Sequence, residues 1–329
     1  MQDHGGNLDW AMATYGGAAG GWIDLSTGIN RVPYPVPSLP PEAWTVLPSH
    51  GATNALLTSA RVQYQTAAPV LAVAGAQAAI QMIPWLAPAT SGRKLARVLS
   101  PTYNEHAATL RAASWRVEAV PHLADLSGAD LAVVVNPNNP DGQIHPPADL
   151  RALLPQVGHL VVDESFGDIS PELSMLPHAG IDKLLILRSF GKFWGLAGVR
   201  LGFVFGAAPD IAALAALAGP WPVSGAALTI GQVALNDLDW AIKTRQRLHS
   251  EIPRIDSLAQ AAGWHVEGGT ALFRLYHTPQ AQTAQAQLAR AHIWSRIFPW
   301  HQHWLRLGLP GSEQEWARLT AALALSAVP

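Results

Sequence analysis

The sequence predicts an α/β protein: a larger domain built on a mainly parallel sheet, followed by a smaller α+β domain. Short runs rich in Val, Ile and Leu recur at residues 70–74, 96–99, 131–135, 160–162, 184–187 and 201–205, with helical stretches between them. Strands apolar on both faces and separated by helices are those of a covered parallel sheet. Several runs end in Gly, Pro, Asn or Asp, as at Gly75, Pro101, Asn136-Pro137 and Asp163, and in open sheets of this kind ligands sit beyond the carboxyl ends of the strands. The length, 329 residues, suits two domains at the usual ~100–200 residues each.

From the N-terminus to about Val46 the chain is rich in Gly and Pro, including Val32-Pro33-Tyr34-Pro35-Val36-Pro37. Such a segment is too irregular for a core unit, so residues 1–45 are expected to form an arm that packs with the small domain or a partner subunit. The six apolar runs fall within 46–235, the expected larger domain. From about 228 to 260 the pattern is helical, and two more strand candidates, 271–276 and 304–309, precede a last helix from Ser312. Residues 236–329 are expected to make the smaller domain.

Lys plus Arg is 21 and Asp plus Glu is 23, a net charge of -2, which leaves no basic field for nucleic acid or an anionic membrane. Cysteine is absent, which excludes disulfides, thiolate nucleophiles and Cys-ligated metals; no metal is expected. The first residues carry no basic stretch followed by an apolar run, and the most apolar later tract, 211–230, is broken by Gly219, Pro220, Pro222 and Gly225. A soluble cytoplasmic protein without a membrane partner is expected. Charged residues are 13% against about 25% in an average globular protein. So little charge fits an exterior partly buried in an oligomer, and an alanine-rich, GC-biased composition would produce the same figure.

The most informative stretch is Ser189-Phe190-Gly191-Lys192-Phe193-Trp194-Gly195-Leu196-Ala197-Gly198-Val199-Arg200. A lysine among aromatic and small residues just past a strand is expected to be desolvated, which lowers its pKa and leaves the free amine that a Schiff-base lysine needs. Ser189 and Arg200 offer a hydroxyl and a guanidinium suited to a phosphate dianion. Taken singly, the lysine is also explained as a solvent-facing charge and the arginine as half of a surface ion pair. The segment as a whole resembles the lysine motif of the fold type I pyridoxal-phosphate (PLP) enzymes, the class I/II aminotransferase group, with Lys192 in the place of the lysine that holds the cofactor.

That resemblance extends to motifs upstream. Asn136-Pro137-Asn138-Asn139-Pro140-Asp141-Gly142 is similar to the group's Asn-Pro-x-Gly turn, which puts Asn139 at the cofactor's phenolic oxygen and beside the substrate. Asp163, at the end of Leu160-Val161-Val162, matches the carboxylate that pairs with the pyridine nitrogen and keeps the ring an electron sink. Read alone, these residues fit an ordinary turn and a helix cap equally well. Where many relatives carry Tyr three residues after that Asp, this chain has Phe166, so a phenol donor is missing. The resemblance places the phosphate cradle at Gly75, Ala76 and Gln77, where a strand passes into a helix with free amides. It sets Tyr103 over the pyridine ring, and Arg306 on the substrate's carboxylate.

The opening of the chain narrows the likeness. His4-Gly5-Gly6-Asn7 and Ser26-Thr27-Gly28-Ile29-Asn30 are similar to the start of the threonine-phosphate decarboxylases of cobalamin biosynthesis, a branch otherwise close to histidinol-phosphate aminotransferases. This implies a small phosphorylated amino acid as substrate, with His4, Gly5, Gly6, Asn30 and Arg296 around its phosphate, and a homodimer. Leu47-Pro48 stands where many relatives have Tyr-Pro and use that Tyr across the subunit boundary; Leu cannot supply the bond. Two competitors stay open: an aminotransferase of the histidinol-phosphate type, which uses the same residues, and a PLP-binding sensor without turnover.

Overall fold

The computed structural model describes residues 5–86 and 94–324. The chain begins with helix α1 (Leu8–Tyr15) and a two-residue strand β1 (Ile23–Asp24), then α2 (Glu42–Thr45) and α3 (His50–Gln63). The alternation follows: β2 (Val70–Val73), α4 (Ala76–Leu86), β3 (Leu95–Leu99), α5 (Glu105–Ala112), β4 (Arg116–Val120), β5 (Leu131–Val135), α6 (Pro147–Leu153), β6 (His159–Asp163), β7 (Leu184–Ser189) and β8 (Gly202–Phe205). Helices α7 (Ala208–Ala218), α8 (Gly225–Asn236) and α9 (Leu238–Ala261) come next. The last part holds β9 (His265–Thr270), β10 (Phe273–His277), α10 (Ala281–Arg290), β11 (Ile293–Trp294), β12 (Arg296–Phe298), β13 (His301–Gly308) and α11 (Glu313–Ala324).

Two compact units result, one of residues 34–139 and 143–240, the other of 1–33, 140–142 and 241–329. The larger contains a seven-stranded sheet in the order β2-β8-β7-β6-β5-β3-β4. Its pairs are parallel except those of β8, which runs antiparallel to both neighbours. All six expected runs lie in this sheet. The seventh strand, β4, was not expected from sequence. It is an edge strand whose Arg116 and Glu118 alternate with apolar residues, and Glu118 is held by Arg97 and Arg116. Edge strands carry charges because one side faces water. The core beneath the helices includes Val73, Leu131, Val133, Val161 and Leu187, all essentially inaccessible. Each such side chain contributes about 1.5–3 kcal/mol by leaving water.

The smaller unit contains a four-stranded antiparallel sheet, β12-β13-β10-β9. Two of its strands match the expected runs to within a few residues; β9, with two glycines, and the three-residue β12 carry no apolar pattern to betray them. Ile255, Trp264, Leu305, Leu307 and Trp316 form its core, and Ala11 and Trp22 from the first residues pack against Ala289 and Trp294. The single helical stretch expected over 228–260 is two helices, α8 and α9, separated at Asp237, whose Oδ1 accepts from Trp240 N at 3.0 Å. Among the described residues no helix is long and apolar enough to cross a membrane.

Candidate active site

Residues at the carboxyl ends of β2, β3, β5, β6 and β7 line one cavity of about 170 Å³ in the larger unit. Because these five strands run the same way, the turns that follow them come out on one edge of the sheet. That placement brings together Ala76, Gln77, Tyr103, Asn139, Asp163, Ser189, Lys192 and Arg200, eight of the nine expected cofactor residues. The ninth, Gly75, is the turn between β2 and α4.

Gly75 has φ +77°, and a Cβ there would lie 2.7 Å from Arg200 Nη2. A Cβ on Gly202, opposite Ser189 in the β7–β8 ladder, would lie 2.6 Å from Ala76 N. The two glycines thus keep a backbone cradle clear of side chains at the start of α4, whose first amides have no carbonyl one turn back to bond. Arg200 reaches over this cradle from a left-handed backbone (φ 56°), its Nη2 3.5 Å from the Ala74 carbonyl. The Ala76 and Gln77 amides, the Ser189 hydroxyl and the Arg200 guanidinium are donors of the kind that can bind an anion.

Asp163 is 2% exposed. Its Oδ2 meets His106 Nε2 at 2.8 Å, and its Oδ1 accepts from Ser165 N at 2.9 Å and Ser165 Oγ at 2.5 Å. Burial pushes its carboxyl up, but the His106 and Ser165 hydrogen bonds and the charge of His106 outweigh it and hold the group below the usual carboxylate range. An anionic carboxylate therefore sits at the floor of the cavity. Sequence reading missed His106 and Ser165; the Asp163–His106 contact spans 57 residues, and only their order after Tyr103 and Asp163 hinted at it. Lys192 is half-buried, with Nζ 5.5 Å above the Phe166 ring. Tyr103 donates to Gln77 Oε1 at 3.2 Å; burial, then the charges of Glu105 and Asp163, push its phenol up to about 12, so it remains a donor.

Removing the His106 bond should move Asp163's titration upward. The folded-state carboxyl is depressed, so its stabilisation is complete above the unfolded value of ~3.9 and is lost as pH falls through the lower folded value. His106→Phe is expected to shift that loss to higher pH, read as the pH at which acidified protein gives up whatever the cavity holds. An unchanged acid midpoint would contradict the pairing.

The expected substrate residues divide between units. Asn139 lines the cavity above; His4 lies outside the described residues. In the smaller unit Gly6 N donates to Ser26 Oγ at 2.7 Å, and a Cβ on Gly5 would lie 2.5 Å from the Ser26 carbonyl, so the glycine pair lets the terminus lie against Ser26. That carbonyl also accepts from Arg306 Nη2. Arg306 faces Arg296 across the β12–β13 ladder and lies over the Phe273 ring. Burial, then the Arg296 charge, pull its guanidinium down to about 9, against a small opposing effect of Asp24. A buried cation beside a second cation is costly unless an anion joins them. Asn30 Oδ1 accepts from Arg247 Nη2 at 2.6 Å and from Val32 N at 3.1 Å.

A family model described as aminotransferase class I and II matches residues 50–323. A threonine-phosphate decarboxylase of Sinorhizobium sp is 42% identical over 328 residues, covering 98% of this chain and 97% of the relative. One of Pseudomonas aeruginosa is 42% identical over 333 residues with the same coverage. Among solved structures, histidinol-phosphate aminotransferase from Sinorhizobium meliloti in complex with pyridoxal-5'-phosphate superposes with a TM-score of 0.83, over 97% of this chain and 94% of that one. At 17% identity this likeness speaks for the fold.

Proposed function

This chain belongs to the aminotransferase class I and II family, and we propose that it decarboxylates L-threonine O-3-phosphate to (R)-1-amino-2-propanol phosphate in cobalamin biosynthesis, with pyridoxal 5'-phosphate as cofactor. The observation that carries the reaction class is the cavity that joins a lysine, a buried anionic carboxylate and a glycine-lined cradle. The choice of substrate rests on the two full-length relatives.

The residues present fit the cofactor. A Cβ at Gly75 or Gly202 would fill the cradle, and Asp163 is ionised for a cationic ring. When bound, pyridoxal phosphate supplies an aldehyde for amine capture and an electron sink for the pair left on the substrate's α-carbon. Lys192 would hold it; Ser189, Arg200 and the Gly75, Ala76 and Gln77 backbone would hold its phosphate. Asp163 would keep a proton on the ring nitrogen, Asn139 would donate to the phenolic oxygen, and Tyr103 would cover the ring. With Phe166 in place of a phenol, Asn139 would make that oxygen contact without a tyrosine partner from the same loop.

In the reaction, Lys192 returns a proton to the α-carbon after carbon dioxide leaves. Arg306 and Arg296 grip the substrate's anions, joined by Asn30, Gly5, Gly6 and His4 from the arm of residues 1–45. Their grip decides the outcome, because the bond that breaks must lie perpendicular to the ring: the carboxylate in a decarboxylase, the α-hydrogen in an aminotransferase. Purified protein given threonine phosphate should release carbon dioxide without a keto-acid acceptor. Turnover that depends on 2-oxoglutarate would establish the aminotransferase reading instead.

The proposed setting is the cytoplasm, and the proposed assembly a homodimer. Supporting the dimer, Trp44, Val46, Leu47 and Trp221 are each more than half exposed, around α2 and the start of α8, which pack together. Clustered exposed aromatics of this kind mark interaction surfaces. Sedimentation should give a dimer that Trp44→Glu weakens by at least about tenfold; a fully active monomer at all concentrations would contradict it.

A further inference from the structure

The turns after β3 and β5 each send one residue into the cavity, Tyr103 from the first and Asn139 from the second. Between them lies Asn138, 8% exposed. Its Nδ2 donates to the Pro101 carbonyl at 2.9 Å, its Oδ1 accepts from Thr102 Oγ1 at 2.6 Å, and its own amide donates to the Gln143 carbonyl at 2.8 Å. One side chain therefore ties the residue before Asn139 to the two residues before Tyr103. The tip of Tyr103 is fixed independently, through Gln77 Oε1, whose amide nitrogen donates to Glu105 at 3.0 Å.

We propose that Asn138 is a positioning residue: with Thr102 it forms a strut that sets the offset between the Tyr103 ring and the Asn139 amide. This rests on the cofactor reading above. Asn138 has no task at the reacting atoms, since both ends of its amide are engaged by Pro101 and Thr102. A side-chain amide accepting at one end and donating at the other holds two loops in translation and rotation, which a single hydrogen bond cannot do. A loop shift of under an ångström would lengthen Asn139's contact beyond a good hydrogen bond, while the sheet below, paired through its own ladders, would stay in place.

The test uses pyridoxal phosphate added to cofactor-free protein. A donor at the phenolic oxygen stabilises its anion, so weakening that donor raises the pH at which the bound cofactor's visible band changes. Thr102→Val keeps the shape and removes the hydroxyl. It is expected to raise that midpoint by about 0.5–1 pH unit and to weaken cofactor retention about fivefold to tenfold, with the melting temperature of the cofactor-free protein unchanged. Thr102→Ser should restore both values, and Asn138→Ala should exceed Thr102→Val. Wild-type midpoints and retention in Thr102→Val and Asn138→Ala would overturn the proposal. So would a fall in melting temperature without a midpoint shift, or failure of Thr102→Ser to rescue. Wild-type protein that develops no visible band would instead overturn the cofactor reading on which the strut depends.

Discussion

Lys192→Ala is expected to abolish the covalent adduct that borohydride traps on the wild-type protein and to lower turnover by more than about 10³-fold. Two contributions combine. Among the described residues lining the cavity Lys192 brings the only primary amine, and in the proposed reaction it also delivers the final proton; positioned proton transfer alone contributes roughly 10²- to 10⁴-fold. Cofactor retention should fall less, because Ser189, Arg200 and the α4 cradle do not depend on the lysine. The sequence has four lysines, so peptide mapping after reduction gives a clear answer. Lys94 and Lys183 precede β3 and β7, at the ends of those strands away from the cavity, and Lys243 is on α9 in the smaller unit's residues. Reduced cofactor on any of these three would end the site assignment.

The lysine was legible in the sequence for the same reason that the sheet was. Strands buried on both faces read as unbroken apolar runs, as in Leu131–Val135, and the chemistry sits in the few residues directly after each run. Asp163, Asn139 and Lys192 are each local to a strand end, so a linear pattern is enough to find them. What pairs across strands leaves no such trace. His106 is a single histidine in a helix until the fold sets it against Asp163. Arg188 interrupts the run Leu184–Ser189 and is 1% exposed; only the structure shows that Glu164, Asp168 and Ser174 surround it. Burial lowers its affinity for a proton, but the charges of Glu164 and Asp168 outweigh that and keep the guanidinium charged. Glu164 and Arg188 are the chain neighbours of Asp163 and Ser189, so their ion pair links the ends of β6 and β7. β4 and β12 were invisible for the opposite reason: one is charged along an edge, the other three residues long.

Arg296→Ala is expected to cut turnover of threonine phosphate by roughly tenfold to a hundredfold while leaving the cofactor's absorbance unchanged. A charge-assisted bond to a phosphate or carboxylate contributes ~1.5–3 kcal/mol, and every 1.4 kcal/mol is tenfold. Removing Arg296 has a second consequence within its own unit. Its charge is one of the causes that pull the Arg306 guanidinium down, so the variant's Arg306 should titrate higher and hold an anion over a wider pH range. The loss should therefore fall on substrates with two anions, phosphate and carboxylate, far more than on an unphosphorylated amino acid that needs Arg306 alone. Measured as kcat/KM for threonine phosphate against threonine, the ratio should drop by at least about tenfold. If both substrates lose equally, Arg296 supports the sheet rather than the phosphate. If the variant keeps threonine phosphate turnover intact, the phosphate is held by other residues, and the cross-strand arginine pair must be explained without a substrate between them.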